Sequence, residues 1–440
     1  MKYNDAMAKE VSEGKAWVVA VSMGYGHQRT AYQLRDLSPG KEVVNVNDYE
    51  GIPQKDKELW TTTSHIYEFI SRFKRVPVIG SGIFNLYDRL QRILSFYPRR
   101  DLSRSNLGLR EIYKRIKKGW GKDLIHRLKI KKIPLVTPYF VTAFMAEEFN
   151  YPENIFCVTA DADVARGWAP LNPKKTKIKY CASTKRVFER LKLYGIEEEN
   201  IYLTGYPLPK ENIGGVSMKI LKEDMRLRLA NLDPTGKYTS DHAYIIKETL
   251  GKIPKSSGRP LTILFSVGGA GAQKEIGIKI ARSLKEDIKK EKVKVILSAG
   301  TRRETFNYFI NELRQLGFDK PFNDGIEVIW DANLWDYFDR FDKALRNTDI
   351  LWTKPSELSF YSALGIPIII APPIGSQEDF NREWLLGIGS AMDQYDPEYT
   401  HEWLFDYLAD GWFAEAAVRG FLEAEKMGTY NIDKLIKNNP

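Results

Sequence analysis

The sequence predicts an α/β protein built of two Rossmann-like, doubly wound domains facing a cleft. Three observations predict it. Short, nearly continuous apolar runs alternate with helical patterns in two separate stretches of the chain, as expected of parallel strands buried on both faces by crossover helices. The leading run of each stretch ends in small residues and glycine. Finally, 440 residues with 43% hydrophobic content exceed the roughly 250–300 residues that one core holds.

The first stretch opens with Ala16 to Ser22, a buried strand leading through a tight turn into a helix start. Strands over 41–46, 133–136 and 155–159 follow, then 180–182, a helix over 185–194 and a strand at 201–203. This sets a first domain at 1–206. Pro207 to Pro260, rich in Lys, Gly and Pro, reads as an elaborated linker with helical patches at 218–229 and 242–250. The second stretch, a domain over 261–410, has a strand at 261–267, a glycine turn, a helix over about 274–289, and strands at 293–298, 326–329, 350–352 and 366–371. Aromatic and Ala-rich helices close the chain over 411–440.

Charge is uneven. The net +9 contains a segment, Arg72 to Lys132, with 18 Lys and Arg against four acids, a local +14 that leaves the rest at −5. Phe73, Phe84, Tyr87, Phe96, Tyr97, Tyr113 and Trp120 interleave it. This basic-aromatic insertion, about 55–132, fits an anionic membrane surface or a nucleic acid; the plainer alternative is helices with one core face and one solvated basic face. No RNA-binding signature accompanies it, so nucleic acid is not expected. Cys157 and Cys181 are the sole cysteines, which excludes a disulfide framework or a CxxC metal site and points to a reducing compartment. The first 15 residues lack an apolar h-region and no run of 18 apolar residues occurs, so the expected location is cytoplasmic, or peripheral at the inner face of the membrane.

Three places carry chemistry. Ser22-Met23-Gly24-Tyr25-Gly26-His27 lets the backbone approach a ligand and puts one of five histidines at a helix opening; as a dinucleotide fingerprint it fails, because Arg29 stands where the third glycine would be. Gly268, Gly269, Ala270 and Gly271 also follow an apolar strand, where loop amides and a helix start can hold a phosphate; close helix–strand packing is the alternative. Richest is the run from Thr353, Lys354, Ser356, Glu357 and Ser359 to Gln377, Glu378 and Asn381, whose amides and carboxylates suit the hydroxyls of a ribose or hexose.

The run TKPSELSFYSALGIPIIIAPPIGSQEDFN resembles the donor-binding segment of the GT-B glycosyltransferases that include monogalactosyldiacylglycerol synthase, processive diacylglycerol glucosyltransferase and the lipid II N-acetylglucosaminyltransferase. CVTADADVARGW, YCASTKRVFERLKLYGIEEENIYLTGYPL and the two glycine loops resemble further motifs of that family. The resemblance is patchy over 16–206 and 261–390. It implies an inverting, metal-independent transferase needing no cofactor. The nucleotide-sugar, a UDP-sugar, would sit on the C-terminal domain and a lipid or glycan acceptor on the N-terminal one, with helices from about 411 crossing back. His27 is the first candidate base and Asp161 the second. Gly268 to Gly271 would contact the diphosphate, Glu357 the ribose, and Gln377, Glu378 and Asn381 the sugar; Gly24, Gly26, Arg166 and Trp168 fall in acceptor-side loops. Two departures stand out. Phe360 occupies the place of the family's glutamate, with Glu357 three residues earlier, and Arg166 lies near a missing histidine, which it would replace by charge. Two other readings share the fold: a non-hydrolysing UDP-sugar 2-epimerase, whose further catalytic carboxylates and histidines are not found, and an inactive binding protein.

Overall fold

A computed structural model of the chain describes residues 14–62, 92–268, 271–318, 325–373 and 376–439. The chain divides into two compact units, Met1–Pro207 with Met427–Pro440, and Leu208–Lys426. Each contains a six-stranded, wholly parallel sheet with surrounding helices, so the doubly wound α/β class is as expected.

In the first unit the strands are β1 (Trp17–Ala20), β2 (Val44–Asn45), β3 (Leu135–Thr137), β4 (Ile155–Val158), β5 (Ile178–Ala182) and β6 (Ile201–Leu203), in the order β2-β1-β3-β4-β5-β6. Side chains alternate across a strand, and the alternation builds two cores. Val19, Leu135, Cys157 and Tyr180 face one, with Leu109, Tyr113, Ile116, Ile125 and Phe144 from covering helices. Val18, Ala20, Val136, Phe156 and Cys181 face the other, with Ala31, Leu34, Leu37, Ile432 and Ile436. Both cysteines are buried as free thiols.

The helix Gly428–Asn438 therefore belongs to this unit. It is fastened by Asn431 Nδ2 donating to the Thr204 carbonyl at 2.9 Å and by a Lys15–Asp433 ion pair at 3.1 Å. Gly428 abuts the Tyr206 carbonyl, 2.1 Å from where a Cβ would stand. A backbone atom cannot swing aside as a side-chain tip can. Gly428→Ala is expected to destabilise the first unit by about 1–3 kcal/mol, as overpacking of a close contact does, read as a lower urea midpoint and as new proteolytic cleavage near residue 427.

In the second unit β7 (Leu261–Ser266), β8 (Val293–Gly300), β9 (Ile326–Trp330), β10 (Ile350–Thr353), β11 (Ile368–Ile370) and β12 (Ala391–Asp393) lie in the order β12-β11-β10-β7-β8-β9. Relabelled by appearance this is 3-2-1-4-5-6, the dinucleotide-fold order. The strand β12 was not expected from the sequence.

The division of the chain differs from the expected one in two places. Residues 208–260, read as a linker, form the helices Lys210–Ile213, Lys219–Leu232, Lys237–Asp241 and Ala243–Leu250 of the second unit. The reason lies in Lys219–Leu232. Leu221, Met225, Leu229 and Leu232 form a buried stripe, and the buried Arg228 guanidinium donates to the carbonyls of Thr348 and Leu364 at 2.8 Å and Leu345 at 3.3 Å. Likewise Trp412–Glu423, expected to begin a return from 411, stays with the second unit, where a Cβ on Gly420 would stand 2.5 Å from the Ser362 carbonyl.

Part of the basic-aromatic insertion, 63–91, lies outside the described residues. In the rest, helices Leu107–Lys117 and Lys122–Leu128 bury Leu109, Tyr113, Ile116 and Leu124 and turn Arg110, Lys114, Lys117 and Lys118 outward. Tyr97 and Ile130 are 66% and 85% exposed, so apolar groups accompany the outer charge. Among the described residues no helix is long and apolar enough to cross a membrane.

Candidate functional site

Ligands of open parallel sheets bind beyond the carboxyl ends of the strands, where the strand order reverses. In the first unit that point lies between β1 and β3, and the sequence 22–27 fills it. Gly24 has φ 79° and ψ 166°, a region essentially closed to side chains, and this turn launches the helix Tyr25–Gln33. His27, in its first turn, reaches the loop just after β3: Nδ1 is 2.9 Å from the Pro138 carbonyl. A carbonyl only accepts, so Nδ1 carries the proton and Nε2 the lone pair. The ring meets Tyr139 edge-on at 5.1 Å and lies 6.4 Å from Trp168. This packing desolvates it and lowers its pKa to about 4, against the smaller upward pull of the Pro138 bond. His27 is held as a neutral imidazole, its Nε2 without a hydrogen-bond partner among the described residues.

After β4, Asp161 and Asp163 have different surroundings. Asp163 is buried in an ion pair with Arg190 at 2.7 Å. Asp161 is half-buried, and its carbonyl accepts from Ser183 Oγ at 2.6 Å. Trp168 is buried as part of the wall behind His27. Arg166, expected to act by charge on the acceptor side, is buried. It donates through Nε and Nη2 to the Ser103 carbonyl at 2.9 and 2.6 Å, through Nη1 to Ala169 at 2.5 Å and through Nη2 to Pro170 at 3.0 Å. Its guanidinium clamps two loops together.

In the second unit the order reverses between β7 and β10, and there Gly268 meets Lys354. A Cβ at Gly268 would stand 2.5 Å from Lys354 Cε, so the missing side chain is what admits the lysine. Lys354 Nζ is ion-paired with Glu378, with 24% and 12% of their side chains exposed. Thr353 Oγ1 donates to the Ser266 carbonyl at 3.3 Å, tying the two strand exits. Gly271 has a different task. With φ 68° and its amide bonded to the Gly268 carbonyl at 2.7 Å, it closes the turn, and Thr305 Oγ1 would stand 2.9 Å from its Cβ. Gly269 and Ala270 lie outside the described residues.

Residues 357–364 form a 3₁₀ helix, with the Leu358 amide donating to Ser356 Oγ at 3.4 Å. At three residues per turn, positions three apart eclipse. Glu357 and Phe360 therefore share a face without any rotation, the carboxylate displaced along the axis by about 6 Å at ~2 Å per residue. Glu357 is buried, and Phe360 packs on Trp384 at 5.1 Å. Ser359 is fully buried, its Oγ without a hydrogen-bond partner among the described residues. Asn381 is buried and donates to the Pro355 carbonyl at 3.2 Å; Gln377 is half-buried on the same helix, Ser376–Gly387. Among the described residues no cluster of three or more His, Cys, Asp or Glu is placed to hold a metal ion.

Sequence reading did not select two features. Trp330, closing β9, packs on Phe306 at 5.3 Å with Arg303 5.9 Å from its ring, and its indole N–H is buried without a partner among the described residues. Gln28, Asn45 and Asn47 join Ser22, already singled out with the Gly24 turn, in a polar network at the exits of β1 and β2. A tryptophan at a strand exit and the alternation in VNVND were the available signals.

A family model described as a domain of unknown function (DUF6938) matches residues 235–324. No curated protein matches the chain. Among solved structures the chain is similar to Acinetobacter baumannii MurG, at 14% identity over 96% of this chain and 99% of that one, with a TM-score of 0.47. It is similar to S. aureus MnaA in a co-structure with UDP, at 12% identity over 97% and 96%, TM-score 0.47. It is also similar to the glycosyltransferase SnogD from Streptomyces nogalater, at 14% identity over 97% and 100%, TM-score 0.44.

Proposed function

We propose that the chain is an inverting, metal-independent GT-B glycosyltransferase that moves a sugar from a nucleotide-sugar, a UDP-sugar, to the hydroxyl of a lipid or membrane-associated acceptor. The observation that carries this reading is the meeting of Gly268 and Lys354 at the reversal point of the second sheet: a cation beside a strand-end glycine suits a leaving diphosphate, whose charge grows as the glycosidic bond breaks. Glu357 takes the ribose, Gln377, Glu378 and Asn381 the sugar, and the Trp330–Phe306 face the base. His27 Nε2 removes the acceptor's proton as its oxygen attacks the anomeric carbon; Asp161 is the second candidate for that role. The outward cations of 107–118, with Tyr97 and Ile130, support docking on an anionic bilayer.

The test is incubation of the full chain with UDP-, GDP- and TDP-sugars, with and without vesicles containing diacylglycerol and anionic lipid. Acceptor-dependent release of UDP is expected, and sedimentation with anionic but not neutral vesicles. An epimerised sugar formed without acceptor assigns a 2-epimerase instead, and absence of any nucleotide-induced thermal shift removes the donor site.

A further inference from the structure

Two helices, one on each unit, carry matching rows of opposite charge. From Glu383 to Val418 the sequence holds eight acids and no Lys or Arg. Asp393, Glu398, Asp410 and Glu415 take ion-pair partners from outside that stretch, Arg382, Lys279, Lys237 and Arg419. Glu402 and Asp406 are exposed and make no ion pair among the described residues. With Asp410 they stand four residues apart along the helix Thr400–Ala409 and its C-cap, so they line one face. The row beside them is aromatic. Tyr399, Trp403 and Tyr407 share the same spacing, Tyr399 is 58% exposed, and Tyr395 packs on Trp403 and Tyr407 at 5.8 and 6.0 Å. Like charges four residues apart destabilise a helix, and carboxylates at its C-terminal end oppose its dipole. The acidic row therefore lowers the stability of the unit that carries it, which is the mark of a surface kept for a cationic partner.

The helix Leu107–Lys117 carries the counterpart. Arg110, Lys114 and Lys118 are exposed at the same four-residue spacing, and Leu107 at the helix start is 54% exposed. Lys114 reaches Glu111 at 3.9 Å, while Arg110 and Lys118 make no ion pair among the described residues. Each row spans eight residues, about 12 Å at ~1.5 Å per residue. Helix laid beside helix thus sets each cation against a carboxylate and brings the cations onto the adjoining aromatic rings. We infer that the partner is a second copy of this chain: the acidic-aromatic face of Thr400–Ala409 in one copy docks on the basic face of Leu107–Lys117 in the other. The inference stands apart from the transferase reading. A second copy and an anionic bilayer are alternative occupants of the basic face, so the test is run without lipid.

Sedimentation equilibrium of the full chain tests it, at about 0.1 M and about 1 M salt, where charges are screened beyond ~10 and ~3 Å. At the lower salt the weight-average mass is expected to rise with concentration above the 50.6 kDa of one chain, with association at least tenfold weaker at the higher salt. Two double variants reverse one face each: Glu402→Lys with Asp406→Lys, and Arg110→Glu with Lys118→Glu. Each alone is expected to stay at the mass of one chain, with thermal unfolding like that of the native protein, since the replaced side chains are exposed and make no ion pair. The second variant also lowers the net positive charge, so a loss of association there belongs to the face and not to general repulsion. An equal mixture of the two is expected to associate again, because reversed face then meets reversed face and native face meets native face. The inference is overturned if the native chain keeps the mass of one chain at every concentration, if either variant associates as the native chain does, or if the mixture of the two folded variants restores nothing.

Discussion

His27→Asn is expected to lower turnover by about 10²–10⁴-fold, the contribution of a positioned general base, while KM for the nucleotide-sugar stays near its native value. Asn keeps a donor for the Pro138 carbonyl and takes away the lone pair. A purely structural histidine would give the reverse pattern, a lower unfolding midpoint with turnover per folded molecule unchanged. The pH profile adds a second readout. Because desolvation lowers the imidazole pKa to about 4, the group remains a base through the range in which an ordinary histidine, near 6.5, is protonated. The acid limb of kcat/KM contributed by this residue is expected near pH 4, not near 6.5. The stability effect has a definite sign. Between pH 6.5 and 4 the unfolded chain binds the proton and the native one does not, so stability is full above about 6.5 and is lost as pH falls through that window.

Lys354→Met is the second large effect. The ammonium is already ordered against Glu378 beside Gly268, so the free protein has met most of the entropy of fixing a long side chain. Its loss is expected to weaken UDP binding about 10–100-fold, the 1.5–3 kcal/mol of a hydrogen bond to a charged group, measured by isothermal titration. Gly268→Ala acts on the same contact from the other side. Its Cβ falls 2.5 Å from Lys354 Cε, and a flexible side chain yields before the backbone does. Moderate weakening with an unchanged unfolding midpoint is expected. Unaltered UDP affinity in both variants would reduce this contact to packing.

The fold class was legible because buried parallel strands such as LTILFS and IFCV are almost wholly apolar. Legibility failed where meaning depends on pairing. The strand β12 is three residues, Ala-Met-Asp, and is recognisable as a strand by its register on β11. In Lys219–Leu232 the lysines and arginines hide an apolar stripe, and Arg228 spends its charge on buried carbonyls that no composition count reveals. Arg166 repeats the lesson: a charge expected to meet a ligand instead holds the loop at Ser103. Glycine positions carried the most information about the site, although Gly268 and Gly271 look alike in sequence and do different things. The Ser22 network stayed invisible because Ser22 and Asn45 are brought together by a strand pairing.

The helix Gly428–Asn438 also sets an order of events. It closes the face of the first sheet formed by Val18, Ala20, Val136 and Phe156, yet in the chain it follows the whole of the second unit, Leu208–Lys426. On the ribosome, at about 5–20 residues per second, those roughly 220 residues take on the order of 10–40 s. During that interval the part of this face that Ile432 and Ile436 cover stands open, with Ala31, Leu34 and Leu37 packed beside it. A nascent chain stalled before residue 428 would present that face to chaperones, and its release would be timed by the synthesis of a helix eleven residues long.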